Sequence, residues 1–378
     1  MNLDYLLLFL LFPMAWPFIA KKIWSQTINW AEMGLHFAIP VVLITAVYFA
    51  GSYGATADTE IWNGQVTDKR VVDGKYVRTY QCRCRTVSSG SGSNRTTRTV
   101  CDTCYEDRYT RKYQGFSTVG NWTFDSIDTT SRSRRNSFGP PASYVNCRIG
   151  EPASREYGYT NYIRAVPESL FNREAGLNLE QFADMIPTYP EVYGFYKINR
   201  VLPVGVNMPN AGAINSQLNE ALRTLGPDKE ANIIVVIVNT DNPSYRYALE
   251  EAWIGGKKND VIVIVGAPNF PQISWVDTIT LGNNAGNSLM TVTMRDTLLN
   301  HGTIDNVFAE HIIRTIRELF DRKAMEDFAY LKDEIDPPTW VVIVSLILGI
   351  GGSLGLTLLF HFNEFFGTYS NRYYRRYR

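Results

Sequence analysis

Four of the chain's five cysteines stand close together, Cys82 and Cys84 as a C-x-C and Cys101 and Cys104 as a C-x-x-C, separated by a run rich in Ser, Gly and Thr. Two chemistries suit such a set. Four thiolates converging from two arms can hold a tetrahedral zinc ion. Alternatively, one cysteine of each motif can bond to one of the other, because a C-x-C pair is too strained to bridge to itself. A thioredoxin-like redox role for Cys101 and Cys104 lacks the surrounding βαβ unit. Which of the first two holds depends on compartment, since disulfides are the usual fate of paired cysteines on an oxidising face. Cys147, the odd one, reads as a buried free thiol.

Other reactive patterns are scarce. The chain has no H-E-x-x-H and no G-x-x-x-x-G-K-S/T, so two common routes to zinc hydrolysis and nucleotide binding are missing. His36, His301, His311 and His361 are scattered, and His311 among Ile312, Ile313 and Ile316 reads as a packed helix residue. Lys+Arg 37 against Asp+Glu 37 gives no net charge and no support for nucleic acid as a partner.

The compartment is set by apolar runs. Trp340 to Phe360 carries no charge over 21 residues, about 31 Å of helix and enough to cross a bilayer. Met33 to Tyr53 is a second span, with His36 and Pro40 inside it. Tyr5 to Ala20 is shorter, contains Pro13 and Pro17, and reads as a short, kinked or re-entrant membrane segment. Lys21 and Lys22 precede the second span, and Arg372, Arg375, Arg376 and Arg378 follow the last. Positive residues mark the cytoplasmic side, which puts residues 54–337 outside the cytoplasm. On that side the cysteine cluster reads as a disulfide staple, with zinc as the alternative.

Four regions follow. Residues 1–53 are N-terminal membrane segments, and 54–190 a β-rich extracytoplasmic subdomain holding the cysteines. Residues 191–335 form an α/β layered domain, and 336–378 a transmembrane helix with a basic cytoplasmic tail. The fold class is an α+β membrane protein with two to three transmembrane helices. Glu60 to Val87 alternates as a β-hairpin turning at Asp73-Gly74, and Arg95 onward returns as another strand. Ser131 to Pro141 reads as an exposed basic loop. Further on come a helix at Ser216–Gly226, a buried strand at Ala231–Thr240 and a helix at Pro243–Gly256. Buried strands at Asn259–Pro268 and from Gln272 follow, then a long helix at Thr303–Leu331. Alternating elements of this kind imply a largely parallel sheet.

The stretch around Trp253, Ile254, Gly255, Lys257 and Lys258, leading into a run of Val and Ile, resembles the signature of TPM domains over about residues 195–325. Asn259-Asp260 stands where that family carries Asp-Asn-Gly. The resemblance implies an extracytoplasmic accessory or assembly factor for membrane complexes, and a divalent-cation-dependent phosphatase as the alternative. Its candidate cation ligands here are Asp241, Asp260 and Asp296, at sheet ends or loops where ligands of such folds collect. The segment from Glu60 to about Arg173 resembles membrane proteins of large tailed bacteriophages, which would place the outer part in a host periplasm. Gly351 and Gly355 form a G-x-x-x-G in the last span, a pattern that lets helices approach closely. The functional expectation is a non-enzymatic, membrane-anchored scaffold or accessory protein that forms homo-oligomers or binds an envelope partner.

Overall fold

The computed structural model describes residues 3–24, 28, 30–89, 96–166, 179–281 and 286–362. The chain opens with two apolar helices, α1 (Leu3–Ile23) and α2 (Trp30–Thr56). Tyr5–Ala20, expected as a short, kinked or re-entrant segment, lies within α1, an unbroken helix of 21 residues that carries Pro13 and Pro17 inside it and is long enough to cross a bilayer. Neighbouring helices supply the packing that lets such prolines persist.

β1 (Ala57–Ser89) leaves α2 directly and is joined by β2 (Thr96–Ser117), β3 (Gly120–Thr129) and β4 (Pro152–Thr160). Their order is β3-β2-β1-β4, all antiparallel. The turn expected at Asp73-Gly74 is absent. Asp73 pairs with Arg111 and Gly74 with Thr110 in an uninterrupted ladder, and the Asp73 carboxylate takes both Nε and Nη2 of Arg111 at 2.8 and 3.0 Å. Long-range pairing thus overrides a local turn signal. Three short helices follow the ladder, α3 (Arg132–Ser137), α4 (Ala142–Asn146) and α5 (Tyr162–Ala165). The loop expected at Ser131–Pro141 is in part α3, and its Arg135 is buried against Asp73. Val66, Tyr113, Phe124, Cys147 and Tyr196 form this half's core.

The second half alternates β5 (Val201–Val204), α6 (Ala211–Lys229), β6 (Asn232–Val238), α7 (Tyr245–Ala252) and β7 (Asp260–Gly266), then β8 (Trp275–Thr280), α8 (Ser288–His301) and α9 (Phe308–Leu319). The sheet order is β5-β6-β7-β8. The first three strands are parallel and β8 is antiparallel. Because side chains alternate along a strand, Ile233, Val235, Ile237, Val261, Val263 and Val265 face α6, α8 and α9. Ile234, Val236, Ile262 and Ile264 face α7 and the 3₁₀ turn at Leu179–Met185. A sheet covered on both faces explains why β6 and β7 read as unbroken apolar runs.

The long helix expected at Thr303–Leu331 ends at Leu319 and gives way to a 3₁₀ segment at Met325–Glu334. The break lets Arg322 reach Glu60 and Glu230, and puts Met325, Phe328 and Leu331 beneath Ile163. The chain then enters α10 (Thr339–Leu346), a π-helical turn (Ile347–Gly352) and α11 (Ser353–Phe362), running end to end. This last helix, α1 and α2 are each long and apolar enough to cross a bilayer.

A glycine lets two of these helices close: a Cβ at Gly51 would collide with the Val341 side chain. Lower in the bundle, Trp16 donates to Thr357 Oγ1 at 2.8 Å, and His36 Nε2 lies 2.7 Å from the Ser353 carbonyl.

Candidate functional site

Polar residues at the N-terminal ends of the parallel strands, where a soluble sheet would meet water, are here buried under the antiparallel sheet. Arg200, just before β5, is wholly buried. Its Nη2 donates to Asn63 Oδ1 on β1 and, at 2.8 Å, to Ser154 Oγ on β4. Its Nη1 donates to Asn232 Oδ1 at the start of β6, and its Nε to Asn219 Oδ1 on α6 at 2.8 Å. One guanidinium thus spans both sheets. Asn232 passes the polarity on, with Nδ2 donating to Asp260 Oδ1 at 2.7 Å. Tyr189 OH and the Lys257 backbone N–H complete the Asp260 carboxylate at 2.9 and 2.8 Å. Close approach of the halves needs Gly226, where a Cβ would stand 2.4 Å from the Asn63 carbonyl oxygen.

Burial decides the protonation of this row. It lowers Arg200 to about 9 and lifts the Asp260 carboxyl to about 6. A carboxyl raised above its unfolded value holds its proton more readily in the fold. Its contribution is therefore full below the ordinary 3.8 and lost as pH rises through about 6. The stability difference between wild type and Asp260→Asn is expected to fall by up to about 3 kcal/mol from pH 4 to pH 7, about two pH units at ~1.36 kcal/mol each. Any constant cost of the lost acceptor drops out of that slope. Urea unfolding across this range checks it, and a flat or rising difference contradicts it.

Beside the row lies an open cleft of about 730 Å³, lined in part by Asp58, Glu156, Arg164, Tyr189, Trp253 and Lys257. Asp58 is buried at its floor, held by Lys257 and Arg164 and by Asn161 Nδ2 at 2.8 Å. Burial pushes the Asp58 carboxyl up, but the Lys257 and Asn161 bonds outweigh it and leave the group below its ordinary value. The lip of the cleft is the Trp253–Gly256 turn, where Ile254, Gly255 and Gly256 all have positive φ (51°, 73° and 80°). A β-branched residue in that region is strained. The turn is held by Trp253 Nε1, which donates to the Pro187 carbonyl at 3.0 Å.

The three aspartates expected to share a cation do not meet. Asp260 begins β7 and is buried, whereas Asp241 lies past the other end of the parallel β6 and is exposed. Asp296 sits exposed on α8 beside Arg295. Among the described residues no group of three or more His, Cys, Asp or Glu could hold a metal ion. Of the residues that do converge here, Asp58, Tyr189 and Arg200 carried no sequence signal, because their partners lie far along the chain.

The cysteines converge as a staple. Cys82 is bonded to Cys104 and Cys84 to Cys101, while Cys147 is free and buried. With these sulfurs bonded in pairs, no thiolate is left at this end for zinc. They lie on a bare ribbon: β3 stops pairing at Tyr109 and β4 at Gln65, so Tyr76–Ser89 and Thr96–Arg108 pair only with each other. Val77 and Tyr105 are 54% and 71% exposed on it. Among the described residues, Gly351 and Gly355 have nothing within 4 Å of a would-be Cβ, so no described helix packs on the G-x-x-x-G. The arginines of the C-terminal tail lie outside the described residues. No family model matches the chain, and neither a curated protein nor a solved structure matches it.

Proposed function

We propose that the protein is a membrane-anchored extracytoplasmic scaffold or accessory protein, whose stapled ribbon engages a second copy or an envelope partner. The ribbon carries this reading. A two-stranded hairpin is marginal in water by itself, yet this one extends past every neighbouring strand, exposes both faces and is cross-linked twice. Holding Val77, Tyr80 and Tyr105 in water has a purpose if another surface covers them. The three apolar helices support membrane anchoring. Lys21 and Lys22 at the end of α1, together with the disulfides, support an outward-facing bulk. The resemblance of residues 195–325 to TPM domains agrees with an accessory role. The open faces of Gly351 and Gly355 leave room for a helix of a second copy.

A photo-crosslinking side chain at Tyr105, in the full chain in its membrane, is expected to give one discrete adduct, of two chains or of the chain with one defined partner. The same probe at exposed Asp228 serves as the control. If Tyr105 crosslinks no more than Asp228, the reading fails.

A further inference from the structure

Arginines along the ribbon are treated in two different ways. Towards its base most are neutralised: Arg70 pairs with Asp68, Arg108 with Asp128 and Glu106, and Arg111 and Arg135 with Asp73, while exposed Arg78 makes no ion pair among the described residues but stands opposite Glu106 in the ladder. Past the first disulfide this stops. Arg83, Arg85 and Arg98 are exposed and make no ion pair among the described residues. In the described part of the tip, Gln81–Ser89 and Thr96–Thr103, the single acid is Asp102.

The backbone keeps these guanidiniums apart from the body. The ladder slips between Cys82 and Arg85, and Arg83 sits in that bulge with φ 46°. Bulges re-aim side chains and end regular pairing. Disulfides at Cys82 and Cys84, on either side of Arg83, hold the local geometry. Fourteen residues from Tyr76 to Ser89 carry the tip on the order of 45 Å beyond the third strand. Like charges left unpaired at the end of a stiff arm repel one another unless a polyanion meets them.

We infer that the ribbon tip binds a hydrophilic, phosphate- or carboxylate-bearing glycan polymer through Arg83, Arg85 and Arg98. This deepens the scaffold reading and rests on it, naming the chemistry that the arm contacts. A glycan is favoured over an anionic bilayer because the described tip offers little to insert. Past Tyr80 on one strand and before Tyr105 on the other, Val87 is the one large apolar residue exposed. Around it stand the exposed hydroxyls of Thr86, Ser88, Thr97 and Thr99, which suit sugar and phosphate oxygens.

The test uses the full chain in phosphatidylcholine nanodiscs. Binding is measured to soluble, lipid-free poly(glycerol phosphate) glycan, to neutral dextran, and to vesicles containing phosphatidylglycerol. The wild type is expected to bind the phosphate polymer and not dextran. Arg83→Gln/Arg85→Gln/Arg98→Gln is expected to bind about tenfold more weakly and with a flatter dependence on salt. All three side chains are exposed, so the variant's melting curve should match the wild type. The inference is overturned if the wild type ignores the polymer, if the triple variant binds as well, or if the vesicles bind and the polymer does not. Crosslinking at Tyr105 that survives such a result would leave the scaffold reading standing and remove the polyanion alone.

Discussion

Arg200→Leu is expected to lower the stability of the two-sheet part of the protein by about 3–5 kcal/mol, the range for removing one member of a buried charged network. For a unit of this size that corresponds to a fall of roughly 10 °C in Tm. The physical reason is the set of acceptors left behind. The Oδ1 atoms of Asn63, Asn219 and Asn232 would each lose a donor, and those of Asn63 and Asn232 are buried. Asp260 would also lose the positive charge that faces it through Asn232. Leucine fills the volume but returns none of these bonds.

Arg200→Lys is expected to do little better, since one ammonium cannot span donors to β1, β4, β6 and α6 at once. The interaction with Asn63 should be strongly non-additive in a double-mutant cycle, because both residues serve one network. Tryptophan fluorescence during thermal unfolding of the full chain in nanodiscs measures all of these. A loss below about 1 kcal/mol for Arg200→Leu would mean that the Arg200 row does not hold the two sheets together.

The second large effect is local. Serine at Cys82, Cys84, Cys101 and Cys104 removes two nested cross-links closing separations of 22 and 17 residues. Each is worth about 3 kcal/mol in the chain-entropy view, although nested rings do not add fully. The ribbon past Lys75 has no third strand and no core beneath it, so that sum exceeds what the hairpin holds by itself. The variant is therefore expected to become cleavable between Tyr76 and Arg108 and to lose amide-exchange protection there. The Tm of the body is expected to move by less than about 2 °C, because no core residue lies on the ribbon. A ribbon that stays protected, or a body that melts with it, contradicts an arm independent of the body.

Legibility followed the range of the forces involved. The strands β6 and β7 could be read because burial on both faces writes an unbroken apolar run, and the spans because a bilayer demands length. For the cysteines, spacing left cross-strand disulfides and a zinc site both open, and the inferred compartment favoured the disulfides. Asp73-Gly74 misled because its turn propensity amounts to about a kilocalorie, less than a ladder carrying an Arg111 fork. β3 and β4 went unseen in a stretch rich in Ser, Arg and Tyr, where one face is solvated and the apolar alternation is weak. The polar row was invisible for a different reason. Arg200 meets Asn63 across 137 positions and Ser154 across 46, and no local pattern announces a partner that distant. The helix expected through Leu331 failed where Arg322 is drawn to Glu60, 262 positions away.

An extracytoplasmic, stapled arm is tested most directly by the state of its sulfurs. Protein purified in detergent, without reductant or chelator, would be unfolded and assayed together for free thiols, bound zinc and linked peptides. One free thiol, at Cys147, no zinc, and the pairs Cys82–Cys104 and Cys84–Cys101 are expected. Five free thiols, with or without a zinc ion, would contradict the staple and the oxidising compartment with it.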